Sequence, residues 1–394
     1  IKQKDTYGKK ISELVEDLSL VGFIALKDPL RKDAKEVIAT TRRAGIRTII
    51  VTGDHRLTAK TIARELGFEF EDKDVYEGAD LDRMQNGELQ EAVKTAAVFA
   101  RVSPAHKLRI VNALKSNGEV VAMFGDGVND APAIKAADIG VVVGSGTDVA
   151  KEAADLILLD DNFKVLIKAI EQGRVVFENI RKLFIYLVAD DFSEIFLFIA
   201  AMVMGLPIPL LPAQILWINI VEDSFPAAAL TTEEESKGVM NEKPRRPDEP
   251  IMNAPIKKWM AAVFFITGLT TALSFYLIYK IMGDLDKTRT MIFSLITLDS
   301  LIFAYNLRSF RKNIFRRDIF SNHFVNGAVL IGMALLLAGV YFPPLQMILH
   351  TQALNLKEWG IIFAVALAEI MLIGIFKWRI FGAAIFESPR TRRA

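Results

Sequence analysis

The 394-residue chain contains no cysteine, which excludes disulfides and thiolate metal sites. Histidine is scarce as well, at four residues, so oxygen donors are the main means of holding a cation. A net charge of +1 lacks the one-signed excess expected of a nucleic-acid partner, and none is expected here. The first residues, IKQKDTYGKK, are polar, so no signal peptide is expected from them. The chain starts close to a strand and is expected to be one part of a larger or split protein.

What is present falls into two halves. Up to about Arg181, charged and apolar residues mix as in a soluble α/β domain. Beyond it come apolar runs of about 20 residues, the length an α-helix needs to cross a bilayer. The first half reads as repeated strand–helix units, hence a mostly parallel sheet with loop acids gathered at one edge. Strands are expected at Leu18–Ala25, in IRTIIV, and at Val120–Phe124, Ile139–Val143 and Asp155–Asp161. Pro29 suits the start of one helix and Gly45 its stop. Another helix is capped by Ser103 or its neighbour, holds Pro104 in its first turn, and ends at Gly118. Residues 69–97 read as an acidic loop followed by a helix. GSGTDVAKEAAD, from Gly144, lacks the GKS/T ending of a phosphate-binding loop, so its glycines read as turn formers.

Three loops carry chemistry. Thr52 and Asp54 stand at a strand end in TGD, a triplet that alone is an ordinary turn. Lys107 lies in the first turn of the helix after Ser103, where a lysine is usually just solvated. GDGVND places Asp126, Asn129 and Asp130 directly after the buried run Val120–Phe124. Carboxylates at a strand's carboxyl end are well placed to hold a cation.

From Phe163 the apolar spacing predicts a long stalk helix over 163–182 that continues into the first of six spans. These fall near 183–205, 210–230, 258–280, 289–307, 324–342 and 359–378. Lysine and arginine concentrate in EKPRRPDEP, LRSFRKNIFRRD, KWR and SPRTRRA, whereas PIPLLP, MGDLDKT and the HTQALNLKEW region are poor in them. The positive-inside rule then puts the soluble half and both chain ends in the cytoplasm of a multi-pass protein.

The first span carries Asp190, Asp191 and Glu194, the second Asn219, Glu222 and Asp223, and the fourth Asp299. A lone carboxylate at mid-bilayer costs about 2.5–3.5 kcal/mol on insertion scales, so such a set needs a partner. Spacings of three and four put Asp191 with Glu194, and Asn219 with Glu222 and Asp223, on common helix faces. Pro226, with Pro207, Pro209 and Pro212, loosens backbone carbonyls as further oxygen donors. Hard oxygens suit Ca²⁺, Na⁺, K⁺ or Mn²⁺. The plainer alternative is that these acids are protonated and hydrogen-bond neighbouring helices.

TGDHRLTA from Thr52, FARVSPAHK from Phe99, and the long run GDGVNDAPAIKAADIGVVVGSGTDVAKEAADLILLDDNF from Gly125 resemble the P-type ATPases, in their calcium-pump-like branch. LPAQILWINIVEDSFPAAAL looks like that family's ion-binding helix, and the resemblance covers nearly the whole chain. It implies a haloacid-dehalogenase-like domain, a Rossmann-type parallel sheet, over 19–162, with 1–18 as the end of a preceding domain or linker. An all-α bundle of six transmembrane helices over 183–394 would follow. The implied activity is cation transport driven by ATP through a phospho-aspartate formed with Mg²⁺, most simply Ca²⁺ export.

By matching position, Asp126 would hold Mg²⁺, with Asn129 and Asp130 in support. Thr52, Gly53 and Lys107 would meet the phosphoryl oxygens, where donors and positive charge offset negative charge. Asp54 and Arg101 would support them or touch nucleotide. Asp191, Glu194, Asn219 and Asp223 fall on the family's ion-ligand positions. Calcium pumps usually carry Asn where Asp191 stands and Thr where Glu222 stands, and Asp299 falls where they have a ligand Glu. The added acids leave the ion open between Ca²⁺ and Mn²⁺, Na⁺, K⁺ or H⁺, and allow proton counter-transport.

The family's phosphorylated aspartate sits in a DKTGT motif that is absent here. The resemblance therefore implies a missing amino-terminal half that brings this aspartate, the nucleotide-binding and actuator domains and four helices, and without which the chain is inactive. Two other readings compete. A membrane-anchored phosphatase of the same superfamily would need a DxD pair, which LKDPLRKD imitates poorly. A non-enzymatic regulatory copy would show decay of GDGVND or of the buried acids, and neither has decayed.

Overall fold

Short apolar runs between polar turns form strands in the first half, and amphipathic stretches between them form helices. The computed structural model describes residues 22, 29–159, 162–233, 238–308 and 319–386, with the side chains of 190, 221, 222 and 382–386 outside the description. The linker expected over 1–18, most of the strand expected at Leu18–Ala25 and the basic runs at 309–318 and 387–394 lie outside the described residues.

The α/β part runs α1 (Ala34–Arg43), β1 (Ile50–Val51), α2 (Arg56–Glu65), β2 (Val75–Glu77), α3 (Gly78–Arg83), α4 (Asn86–Thr95), β3 (Val98–Ala100), α5 (Pro104–Ser116), β4 (Ala122–Gly125), α6 (Ala131–Ala136), β5 (Ile139–Val143), α7 (Asp148–Ala153) and β6 (Leu156–Leu158). Every pairing is parallel, in two three-stranded sheets of order β1-β3-β2 and β4-β5-β6. The parallel expectation holds. Strands β2 and β3 were not expected, since 69–97 read as loop and helix. Val98, Phe99 and Ala100 are each 0% exposed, and a strand buried on both faces shows no alternation to detect.

The helix expected to open at Pro29 opens instead at Ala34. The preceding turn is occupied elsewhere: the Arg31 guanidinium lies 5.1 Å over the Phe163 ring. Between α6 and β5, Asp138 accepts the Val121 N–H at 2.9 Å and pairs with Lys115 of α5 at 3.1 Å. The Val121 N–H, and after it the Lys115 ammonium, hold the Asp138 carboxyl below the usual carboxylate range.

The second half opens with α8 (Phe163–Val203), 41 residues without a break. After it come α9 (Pro212–Trp217), closed by Trp217, a π-helical turn (Ile218–Glu222), α10 (Ser224–Leu230), α11 (Ala254–Met282), α12 (Leu285–Leu307), α13 (His323–Tyr341), α14 (Pro343–Leu349) and α15 (Leu356–Phe386). Among the described residues four helices, α11, α12, α13 and α15, are long and apolar enough to cross a membrane. The other two expected spans fall on the acid-bearing half of α8 and on the α9–α10 pair interrupted by the π turn. Helix α12 is the axis of the bundle, packed against α11, α13 and α15 and buried along almost its whole length.

The two halves are tied through α8. Arg174 donates through Nη2 to Ala44 O at 2.7 Å, and through Nη1 to Val239 O and Glu242 O at 2.9 Å each. One guanidinium thus joins the end of α1 to the segment between α10 and α11. Five residues on, Asn179 donates to Thr231 O and Glu233 O, and Glu233 is gripped by Nε and Nη2 of the Arg308 fork.

Two outcomes are expected. Charged hydrogen bonds contribute about 1.5–3 kcal/mol each, and water replaces part of that, so Arg174→Ala should cost roughly 2–4 kcal/mol. Arg174→Lys should recover less than half, because an ammonium lacks the fork. Calorimetric melting of the purified protein measures both. Asp138, whose folded pKa is depressed, adds stability at pH values above the ordinary carboxylate pKa and loses it as pH falls through the folded value. Asp138→Asn should therefore lower the melting midpoint at neutral pH and leave it unchanged at the acid end of a pH series.

Candidate functional site

Strand β4 ends at Gly125, and the chain turns through Asp126 into a 3₁₀ turn, Val128–Asp130, that feeds α6. Lys107, in the first turn of α5, donates to Asp130 Oδ1 at 2.5 Å, with the two side chains only 14% and 10% exposed. Gly125 is required by this contact. A Cβ there would lie 2.6 Å from Asp130 Cβ and 2.8 Å from its Oδ2. Asp126 and Asn129 are exposed, and the Asp126 carbonyl accepts the Thr147 N–H at 3.0 Å. The glycines of GSGT are turn formers as expected, and the loop they form also braces Asp126 from behind.

A second loop stands at the end of β1. The Thr52 N–H donates to Phe99 O, the Val102 N–H to Thr52 O and the Arg101 N–H to Asp54 O, at 2.9, 3.2 and 2.9 Å. Thr52 Oγ1 accepts the Asp54 N–H at 3.1 Å, which leaves its own proton to donate outward. Gly53 is exposed, and no atom lies within 4 Å of where a side chain would start. Arg101 is exposed and held in the left-handed region at φ 49°, a rare state for a side-chain-bearing residue.

Of the residues predicted from sequence, Thr52, Gly53, Asp54 and Arg101 therefore share one loop pair, and Asp126, Asn129 and Asp130 share another. Lys107 reaches from the first to the second. Asp130 is committed to Lys107, so Asp126 and Asn129 are the exposed oxygen donors. Mg²⁺ at phosphate sites takes one or two carboxylates, with substrate phosphate and water completing its shell, so these residues fit that ion.

In the bundle, Asp223 is 3% exposed and its Oδ1 accepts from Ser300 Oγ at 2.6 Å and from Tyr186 OH at 3.2 Å. Glu194 is 7% exposed, and its Oε1 has no hydrogen-bond partner among the described residues. Asp191 and Asp223 lie within electrostatic range of Glu194. Asn219 is exposed, whereas Asp223 is buried. The expected shared face is altered by the π turn, where the Asp223 N–H bonds back five residues to Ile218 O and adds one residue to the turn. The side chains of Asp190 and Glu222 lie outside the described residues. Among the described residues no three of His, Asp or Glu converge closely enough to hold a metal ion.

Sequence reasoning passed over Glu369, on α15. It is 1% exposed, accepts from Thr270 Oγ1 on α11 and interacts with Asp299 on α12. Ser193, Thr267, Asp299, Asn306 and Glu369 help line a cavity of about 20 Å³, room for one water. The signal was a lone acid in the apolar run IIFAVALAEIMLIGIF. Lys377, about two turns beyond Glu369 on the same helix, is read in the sequence as part of the basic KWR flank but is buried in the bundle. It donates to Asn306 Oδ1 at 3.0 Å and lies 5.4 Å over the Trp259 ring, closing the end of α12.

Comparison with known proteins matches residues 207–379 to the family "Cation transporting ATPase, C-terminus" and residues 2–138 to "haloacid dehalogenase-like hydrolase". A calcium-transporting ATPase of Bacillus subtilis is 42% identical over 95% of this chain and 42% of its own length. A calcium-transporting ATPase of Listeria monocytogenes is 38% identical over 95% of this chain and 42% of its own. An endoplasmic reticulum calcium ATPase of Aspergillus fumigatus is 32% identical over 94% of this chain and 42% of its own. The chain thus spans well under half the length of these relatives. The two family matches, on a parallel-sheet domain and on the helical bundle that follows it, agree with the lysine–aspartate loop at one end and the buried acids at the other: residues 207–379 belong to the carboxyl-terminal family of cation-transporting ATPases, and nearly the whole chain is similar to part of the calcium-transporting ATPases.

Proposed function

We propose that this chain is the phosphoryl-handling and ion-binding part of an ATP-driven cation pump, and that Ca²⁺ is its cargo. One observation carries the reading. Helix α8 starts against the GDGVND strand, with the Phe124 and Phe163 rings 4.8 Å apart, and the same unbroken helix carries Asp191 and Glu194. A displacement at the phosphate loop is therefore delivered to the carboxylates by a rigid rod.

In this reading the aspartate that takes the phosphate comes from a separate segment, together with the nucleotide-binding and actuator domains and the remaining helices. Lys107 and the Thr52 hydroxyl donate to the phosphoryl oxygens, and Asp130 fixes where the Lys107 ammonium stands. Asp126 and Asn129 would hold Mg²⁺, which when bound neutralises phosphoryl charge. Asp191, Glu194, Asn219, Glu222, Asp223 and Asp299 bind the transported ion, and the carboxyls not neutralised by it carry protons. The α/β domain lies on the cytoplasmic side, where ATP is available. The named relatives favour Ca²⁺, while the acid at Asp191 keeps Mn²⁺ and monovalent ions as the second choice.

The test is ATP hydrolysis by the complete reconstituted protein against Ca²⁺, Mn²⁺, Na⁺, K⁺ and pH. Half-maximal activation by micromolar Ca²⁺ is expected, with Asp126→Asn lowering turnover by roughly 10²–10³-fold. Hydrolysis indifferent to Ca²⁺ would remove Ca²⁺ as cargo, and an acyl phosphate formed by residues 1–394 alone would remove the need for a second segment. Glu369→Gln should raise the Ca²⁺ concentration for half-activation about tenfold, equivalent to ~1.4 kcal/mol, through loss of its hold on Asp299. Ca²⁺ titration of the same preparation checks this.

A further inference from the structure

His106 sits one residue before Lys107 in α5 and is 9% exposed. Its Nδ1 accepts the Ser103 N–H at 3.2 Å, which places the ring proton on Nε2. Nε2 then donates to Asp82 Oδ1 of α3 at 2.8 Å. Beside the ring, Gly78 opens α3 without a side chain. A Cβ there would lie 2.4 Å from Arg101 O and 3.0 Å from both His106 Nδ1 and Cε1. The imidazole is therefore wedged between the first turn of α3 and the 101–103 segment. Arg109, one turn along α5, makes the same junction firm by donating to Leu81 O and Met84 O at 2.8 Å each.

The segment so held is the one that matters to both loops. Arg101 keeps its left-handed backbone there, and its N–H fixes the carbonyl of Asp54. Ser103 caps α5, accepting the His106 N–H at 3.3 Å, and so sets the first turn from which Lys107 extends to Asp130. A left-handed non-glycine residue costs on the order of 1–3 kcal/mol and persists only where its surroundings over-determine it. The ring of His106 and the missing Cβ of Gly78 are those surroundings.

Resting on the pump reading above, we propose that His106 is a positioning residue for phosphoryl transfer: its imidazole, braced on Asp82, holds Arg101 left-handed and sets the reach of Lys107. It acts through Lys107 and the Thr52–Asp54 loop and does not touch phosphate.

The experiment measures acyl-phosphate formation from radiolabelled inorganic phosphate and Mg²⁺ by the complete pump, with bound Ca²⁺ in the same preparation giving the folded fraction. His106→Ala should raise the phosphate concentration for half-maximal labelling about tenfold per folded molecule and leave Ca²⁺ affinity unchanged. His106→Gln keeps an acceptor for the Ser103 N–H, as capping-box glutamine does, but leaves the wedge empty. It should recover the melting midpoint and not the phosphate affinity. In a Lys107→Ala background His106→Ala should add little, because effects that pass through one side chain are not additive. If His106→Ala binds no Ca²⁺, Asp82→Ala, at a side chain 68% exposed, should give the same direction of change.

Unchanged phosphate affinity in the folded variants, full rescue by His106→Gln, or an undiminished loss in the Lys107→Ala background would each overturn the proposal. A parent protein that forms no acyl phosphate while binding Ca²⁺ removes the pump reading itself, and this inference with it.

Discussion

The ion pair between Lys107 and Asp130 is the joint on which the α/β domain turns. Lys107 belongs to α5, which follows the first sheet, and Asp130 closes the loop after β4 of the second. Both charges are largely withdrawn from water, and stripping one partner from such a pair typically costs about 3–5 kcal/mol. Much nearby sequence answers to it. Gly125 has no side chain because Asp130 fills that space, Ser103 starts α5 where Lys107 faces the loop, and Thr147 ties Asp126 from the other side. The two loops proposed to face a phosphoryl group are thus held in register by this bond.

The loops were the most legible part of the chain. Gly125 is dictated by the close approach of Asp130 and the acids by charge, and both show in single residues. Local periodicity could not reveal β2 and β3, three residues each, or the π turn, in which one extra residue stands between α9 and α10. Glu369 was visible as an acid in an apolar helix, but its partners Thr270 and Asp299 come from two other helices. Nothing in α15 alone names them. His106 was hidden differently, inside a motif where the neighbouring lysine drew the attention.

The bundle holds its carboxyls in two kinds of surroundings. Asp223 is already furnished with hydroxyl donors from α8 and α12, whereas Glu194 has an oxygen without a partner among the described residues. An apolar interior tolerates the first readily and the second only at a cost. That inequality separates a carboxyl held in one place from one whose remaining interaction has yet to be made.

The four tryptophans, Trp217, Trp259, Trp359 and Trp378, all lie in the helical bundle, and the α/β domain has none. Tryptophan fluorescence of this chain is therefore blind to the GDGVND and TGD loops and reports on the bundle alone. Trp217 is the residue immediately before the π turn. Any change in emission produced by phosphate at the GDGVND loop has, by the placement of its chromophores, already travelled the length of α8.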